Sequence, residues 1–323
     1  MATSSSILSL NATGDTSNDA ERHAQVFIIM CVAWILLGLL SFALNLAVCL
    51  IMYCDKKLWT ITNYFVLSLS VADLLVSAVL IPFFIAENFT ETATSGHLVA
   101  FLLVASIYNM CAVTYERYIA LTRPFHYRSI MSKRKALYVI ALAWVVPTLT
   151  SLLPIAWEAN LSTVFHEVYV IILVFIIVLV PCIAMIAIYL RLFFVVRSYL
   201  RRNRRRTTKG NRTGDRAGSE EKATLVFALI LAMFLLCWLP IIWMNICVVF
   251  KRSDLINMSL QYASFFTIVL NTVLDPLIYA LFKKDFNDAV KRKLKFCRIR
   301  RREKNDNEHE CVTLQTFETA EQV

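Results

Sequence analysis

An all-α membrane protein, a bundle of seven transmembrane helices with a short amphipathic cytoplasmic helix after the seventh, is the fold class this sequence predicts. Three observations predict it. The 323 residues are 58% hydrophobic and 17% charged, with a mean hydropathy of +0.61. The apolar residues gather into blocks of about 20 or more, the length that crosses a hydrocarbon core roughly 30 Å thick. The basic residues are segregated between the blocks so as to fix one orientation.

The blocks lie near 26–53, 61–86, 94–120, 136–157, 166–196, 223–250 and 258–281. Each is longer than an ordinary buried helix. Residues 1–25 are polar and lack the basic start, short apolar stretch and small-residue cleavage site of a signal peptide. The first span is therefore expected to be its own insertion signal behind a short, free, extracellular N-terminus. The division that follows is 1–25 extracellular, 26–281 the seven-helix domain, 282–297 an amphipathic surface helix and 298–323 a disordered cytoplasmic tail.

A net charge of +10 raises nucleic acid as a partner, and the placement of the charge argues against it. With the N-terminus outside, 28 of the 33 lysines and arginines fall in inner loops and the tail; only Arg22, Lys251 and Arg252 fall outside. That asymmetry predicts N-out, C-in. The sequons at Asn11, Asn88, Asn160 and Asn257 all fall in outer segments and are candidate glycosylation sites, while Asn211 falls inside. No outer loop carries a cysteine, so no extracellular disulfide is expected.

The third inner loop, from Arg197 to Lys222, is long and basic, suited to anionic inner-leaflet lipid and to a cytoplasmic partner. After the seventh span, Phe282, Phe286, Ala289, Val290, Leu294 and Phe296 share a helical face with basic residues opposite, which describes a helix lying in the membrane surface. Cys297 at its end is a candidate palmitoylation site.

An ionisable side chain inside a bilayer costs roughly 2.5–3.5 kcal/mol on insertion scales, so each needs a partner or a task. Asp73 lies in the second span and Asp275 in the seventh, and Glu116-Arg117 closes the inner end of the third. Asn271, Asp275 and Tyr279 are spaced by four and share one face. Two readings stand for the buried acids: an interhelical hydrogen-bond cluster with one carboxyl protonated, or a hydrated Na⁺ pocket to which Ser106 adds an oxygen. Pro181, Pro240 and Pro276 each remove a backbone hydrogen bond within a span and permit kinks, which suits a two-state switch.

Asn45, Ser70-Val-Ala-Asp73, Glu116-Arg117-Tyr118, Trp144, Pro181, Tyr189, Cys237-Trp-Leu-Pro240 and Asp275-Pro-Leu-Ile-Tyr279 occur in order, each in its own span. Over residues 26–297 the chain resembles the rhodopsin-like G-protein-coupled receptors. The resemblance implies an allosteric Na⁺ held by Asp73, Ser106, Asn271 and Asp275. It also implies a toggle at Trp238 and a connector of Pro181, Ile107 and Phe234. Arg117 would be restrained by Glu116 and Glu220, and Tyr189 and Tyr279 would turn inward on activation. The implied partners are a heterotrimeric G protein, arrestin and a receptor kinase, with membrane lipids around the bundle. The chain departs from the family pattern at Asp275, where Asn is usual, at Glu116, where Asp is usual, and at Thr92, where a cysteine is expected.

Helix seven has no lysine between Arg252 and Lys283, so a retinal Schiff base has no anchor. Amine receptors carry an Asp where this chain has Val99, so a charged amine lacks its usual counterion. The short N-terminus argues against a large hormone, leaving a small molecule, lipid or short peptide. Residues 62–73, Ile188-Tyr-Leu-Arg-Leu-Phe193 and Leu229 to Asn245 are similar to adenosine receptors. Val99, Trp238, Ile241, Asn245 and Tyr262 are then the tentative ligand contacts. Ile268 and Val269 stand where that family holds a ribose. The inner loop His126-Tyr-Arg-Ser-Ile-Met-Ser-Lys-Arg-Lys-Ala136 and the Asp-Pro of helix seven resemble the melanocortin receptors.

A transporter or channel is the alternative from another class, but no inverted repeat or pair of broken helices is present in the sequence. An enzyme is not expected, because His23, His97, His126, His166 and His309 show neither metal spacing nor a nucleophile partner.

Overall fold

The computed structural model describes residues 5–90, 96–157, 163–207 and 236–282, together with Met233, Asp288, Lys291 and Arg292. No strand occurs among them. Helix α1 is Ser5–Cys54. α2 is one continuous rod, Ile61–Leu75, a π-helical stretch Val76–Leu80, and Ile81–Thr90. α3 is Gly96–Thr122, and α4 is Lys133–Leu152 followed by a 3-10 stretch, Leu153–Trp157. α5 runs Val164–Ile172, π-helical Leu173–Leu179 and Val180–Thr207. α6 is described over Leu236–Val249, and α7 is Met258–Phe282.

α1 starts far ahead of its apolar block, so the free N-terminal segment expected from the sequence is helical instead from Ser5. Asp19-Ala-Glu-Arg-His-Ala-Gln25 explains the nearer part. These residues are mostly good helix formers, and they extend a helix already nucleated in the apolar block at no new nucleation cost. Propensity does not account for its continuation through Gly14.

Both π-helical stretches end just before a proline, Leu80 before Pro82 and Leu179 before Pro181. A proline ring has no N–H and clashes with the carbonyl one turn back, and a widened turn relieves both without breaking the rod. The helix starts follow side-chain chemistry. Thr60, Ser132 and Thr163 accept from Asn63, Lys135 and His166 backbone N–H groups at 3.4, 3.4 and 3.2 Å, and Asn257 Oδ1 accepts from Leu260 N–H at 2.8 Å. α6 closes with Lys251 in the left-handed region (φ 55°) and Arg252 N–H bonded to the Cys247 carbonyl at 2.8 Å, a Schellman-type end with lysine in the usual glycine position.

α3 is the central post. It packs against α2, α4 and α5, while α1 packs against α2 and α7. Within the apolar stretches 56% of α3 is buried, against 22% of α1 and 17% of α5. Gly38 lets α1 approach α2, since a Cβ there would stand 2.7 Å from Ile81 Cδ1. The outward faces are apolar, with Ile28, Leu36, Leu39, Leu142, Leu149, Ile176, Ile183 and Leu190 all exposed. Such a continuous apolar exterior is a surface for lipid rather than water. Five described helices are long and apolar enough to cross a membrane: Ala24–Cys54, Ile61–Glu87, His97–Ala120, Lys133–Trp157 and Val164–Val195.

Of the amphipathic helix expected at 282–297, Asp288, Lys291 and Arg292 are described and are helical. Cys297, the tail and most of the third inner loop lie outside the described residues.

Candidate functional site

A cavity of about 390 Å³ opens among α3, α4, α5 and α6, within the roughly 300–1,000 Å³ range of small-molecule pockets. Each helix contributes one face at helical spacing: His97, Ala100, Val104 and Ile107 from α3; His166, Tyr169 and Leu173 from α5; Trp238, Ile241 and Asn245 from α6. Val99, Trp238, Ile241 and Asn245 therefore come together as lining residues. Tyr262 lines neither this cavity nor the smaller one beside it. It packs instead on Phe27 and Trp34, with ring centroids at 5.9 and 5.7 Å, because α1 approaches α7 and fills that side with aromatic rings. Phe84 stacks on Phe265 at 3.8 Å in the same group.

The smaller cavity, about 130 Å³, adjoins the first through Val99, Leu103 and Ile241, and Ile268 lines it. Val269 is fully buried in the aromatic group. His97 and His166 were not singled out from the sequence, where the five histidines looked unrelated. Their signal was positional: His97 is one turn before Ala100, and His166 one turn before Tyr169, each on a face that turns inward.

At the opposite end of α3, Glu116 is fully buried. Its Oε1 accepts from the Thr62 hydroxyl at 2.7 Å and from the Tyr127 hydroxyl at 2.6 Å, and its Oε2 pairs with Arg117 Nε at 3.0 Å. One carboxylate thus joins the start of α2, the loop after α3 and Arg117. Burial, and then the bond to Glu116, pushes the Tyr127 phenol pKa up, so it stays a neutral donor. Tyr118 packs on the core nearby, and Tyr189 is buried within it. Between the ends runs a continuous packed column. Trp238 and Ile107 at the cavity floor lead through Met110, Val113 and Met185 to Tyr189, Ile119 and Met131.

Asp73, Ser106, Asn271 and Asp275 are all buried, at 0, 5, 4 and 2% exposure. Asn271 Nδ2 donates to Asp275 Oδ2 at 3.4 Å, while neither Asp73 oxygen has a hydrogen-bond partner. Two buried carboxyls, one of them with both oxygens orphaned, match a proton or a small monovalent cation. Among the described residues no three His, Cys, Asp or Glu gather as a transition-metal site would require. Around this point, Asn45 Nδ2 donates to the Thr272 carbonyl at 3.0 Å, Ser41 Oγ donates to Thr272 Oγ1 at 2.8 Å, and Ser77 Oγ donates to the Asp73 carbonyl at 2.7 Å. Trp144 Nε1 donates to Ser68 Oγ at 2.9 Å, which donates to Asn109 Oδ1 at 2.5 Å, joining α4, α2 and α3.

Pro240 lies in α6 between the lining residues Trp238 and Ile241, and Pro276 lies inside α7. Tyr279 belongs to α7, but its side chain, like Phe234 and Glu220, lies outside the described residues. Asn257 is exposed; the side chains of Asn11, Asn88 and Asn160 are outside the description. The described cysteines are all free thiols.

The family described as 7 transmembrane receptor (rhodopsin family) matches residues 44–279. Adenosine receptor A2a of Canis lupus familiaris is 30% identical, the alignment covering 80% of this chain and 70% of that receptor. Adenosine receptor A2a of Homo sapiens is 29% identical over 87% of this chain and 74% of its own length. Dopamine receptor 1 of Drosophila melanogaster is 25% identical, covering 78% of this chain and 60% of that protein. Each of these relatives is a receptor.

Proposed function

The chain belongs to the rhodopsin family of seven-transmembrane receptors, and from that membership we propose that it converts a small extracellular ligand, seated in the cavity above Trp238, into G-protein activation at the Arg117 end of α3. It is a multi-pass membrane receptor that signals through G proteins. The observation that carries the assignment of its two working ends is the packed column joining them: Ile107 and Trp238 line the cavity, and the same cluster reaches Tyr189 and Ile119 beside Arg117.

Mechanistically the receptor is a two-state element biased from one end. A ligand that fits the cavity better when Trp238 and α6 are displaced stabilises that arrangement by its differential affinity. The Glu116 cluster opposes it by holding Arg117 against α3. Release of Arg117, with Tyr279 turned towards Tyr189, which is already buried in the core, opens a groove for the G protein. Pro181, Pro240 and Pro276 give α5, α6 and α7 places to bend. Na⁺ would be held by Asp73 and Asp275 with Ser106 and Asn271, and its charge would stabilise both carboxylates in the arrangement with Arg117 held.

The basic asymmetry supports a plasma-membrane topology with the N-terminus outside, where Asn257 and the other sequons would be glycosylated. Arrestin and a receptor kinase act from the inside, Cys297 anchors the surface helix by acylation, and inner-leaflet lipid meets the third loop. The adenosine, dopamine and histamine receptors that the chain resembles are named for small molecules. Adenosine itself fits poorly: a ribose hydroxyl against Ile268 is left unpaired, at about 1–3 kcal/mol, and Val269 is packed away in the aromatic group.

Arg117→Ala tests the proposal. Basal or agonist-stimulated nucleotide exchange on a co-expressed G protein should fall to background while surface expression is unchanged. Exchange at the level of the unsubstituted chain overturns it.

A further inference from the structure

The walls of the larger cavity carry no charge. Among the described residues lining it there is no Asp, Glu, Lys or Arg. Moving an ion into such a space without a partner costs several kcal/mol, more than the burial of a few methylene groups returns. Its polar lining residues are His97, His166, Tyr169 and Asn245, with Trp238 at the floor. His97 has its Nδ1 3.0 Å from the Ser151 carbonyl. A carbonyl only accepts, so Nδ1 carries a proton, and in that tautomer Nε2 is left to accept. Asn245 donates its Nδ2 to the Ile241 carbonyl at 2.8 Å, leaving its amide oxygen as a second acceptor. His166 Nδ1 is buried with no hydrogen-bond partner; outside the lining, so is Nε1 of Trp157, whose ring packs 6.3 Å from that of His166. A buried polar nitrogen left without a partner is costly, so a group that bonds it on arrival is selected over one that cannot.

Away from these polar residues the lining is aliphatic, through Val104, Val174 and Val178 to Ile107 and the Trp238 ring. Resting on the receptor reading above, we propose that the ligand is an uncharged amphiphile. Its apolar body lies along α3 towards Trp238, and its single polar head, a hydroxyl or an amide, donates to His97 or Asn245 and accepts from His166. A hydroxyl meets both demands with one group, since it donates once and accepts twice. An ammonium meets only the acceptors and finds no counterion; a carboxylate has no hydrogen to give His97 and no cation to face.

The probes are three compounds with one body: 2-(1-naphthyl)ethanol, 2-(1-naphthyl)ethylamine and 1-naphthylacetate. Binding to the full chain in neutral-lipid nanodiscs is read by saturable thermal protection and by ligand-observed NMR at pH 7.5. The alcohol should bind, with the amine and the carboxylate each at least tenfold weaker. His97→Ala combined with His166→Ala should weaken the alcohol about tenfold while leaving the affinity of unsubstituted naphthalene within twofold. Naphthalene binding also reports that the doubly substituted cavity is intact; if that variant does not fold, Asn245→Leu takes its place with the same expectation. Equal or tighter binding of either charged compound overturns the inference. So does an alcohol affinity indifferent to the substitutions, or no binding of the alcohol at millimolar concentration. Nucleotide exchange by the same unsubstituted preparation, basal and with the alcohol added, separates ligand class from signalling: exchange with no alcohol binding removes only the ligand class, whereas alcohol binding with no exchange in either condition counts against the receptor reading.

Discussion

At the Arg117 end of α3 one carboxylate is bound by three neighbours within 3.0 Å, whereas at the His97 end most of the wall is aliphatic and two buried nitrogens have no partner. The two ends obey the same rule with opposite results. In a low-dielectric interior polar groups are paired or they are costly. The inner end satisfies the Glu116 carboxylate internally, which holds one arrangement in place, although the Thr114 and Tyr189 hydroxyls nearby are buried without a hydrogen-bond partner. The outer end leaves part of its polar capacity open for a molecule that arrives later. A receptor needs both, because a switch with every group satisfied in every state has nothing for a ligand to bias.

The sharpest way to break this contrast is Glu116→Gln. The amide keeps an acceptor for Thr62 and Tyr127 but removes the charge that holds Arg117. If the pair contributes about 1.4 kcal/mol more to the closed arrangement than to the open one, ligand-independent nucleotide exchange rises about tenfold. Exchange unchanged per receptor at the surface would mean that the cluster is a structural tie only, with no bias towards the closed arrangement.

Middle-sized effects belong to the ties along the bundle. Trp144→Phe removes the indole N–H that reaches Ser68 and keeps most of the ring. Interhelical hydrogen bonds in membranes average about 0.6 kcal/mol, so with a small void the loss should be about 1 kcal/mol, read as a modest drop in Tm in one fixed detergent. A loss beyond about 3 kcal/mol would show that Trp144, Ser68 and Asn109 act as a unit rather than as a chain of pairs.

The same contrast explains what was legible beforehand. Spans are set by bilayer thickness, and Asp73, Glu116 and Asp275 stand out because buried charge is rare, so a single chain displays them. The cavity is different in kind. Val104 and Val178 line it, yet no local pattern separates a valine facing a cavity from one facing a helix. His97 and His166 lie far apart in sequence and meet only because α3 and α5 pack together. Tyr262 was assigned to the ligand from its position in α7, but the approach of Trp34 and Phe27 from α1 diverts it. The helical N-terminal segment was not legible because its Ser-, Thr- and Asn-rich part favours no structure, and only the stretch from Asp19 to Gln25 carries helix formers. Pro181, expected to permit a kink, follows a π-helical stretch instead, and Pro82, which follows the other, was not singled out, because a proline alone does not say whether a helix kinks, widens or stops.

The smallest effect is expected where polar groups are both paired and exposed. Asp55 caps the turn Lys56–Leu58 by accepting from Lys57 N–H at 3.0 Å, and Arg292 Nη2 donates to its other oxygen at 2.8 Å, tying the segment after α7 to the end of α1. The Arg292 bond first, and the Lys57 N–H second, hold the Asp55 carboxyl below its ordinary value. A carboxyl lowered in the folded state contributes stability that is fully present above its unfolded pKa. That contribution is lost as the pH falls through the lower folded value, so the tie loosens only in strong acid. Half of the Arg292 side chain is exposed, and water and salt screen most of the attraction. In Arg292→Ala the Asp55 carboxyl, followed by NMR with a carbon-13 label, should titrate at higher pH. It should not return fully, because the Lys57 N–H remains. The window in which acid frees the turn then moves up with it. A titration indifferent to Arg292 would remove the tie and leave the turn to its backbone cap alone, the one place where the inner end would resemble the open chemistry of the cavity.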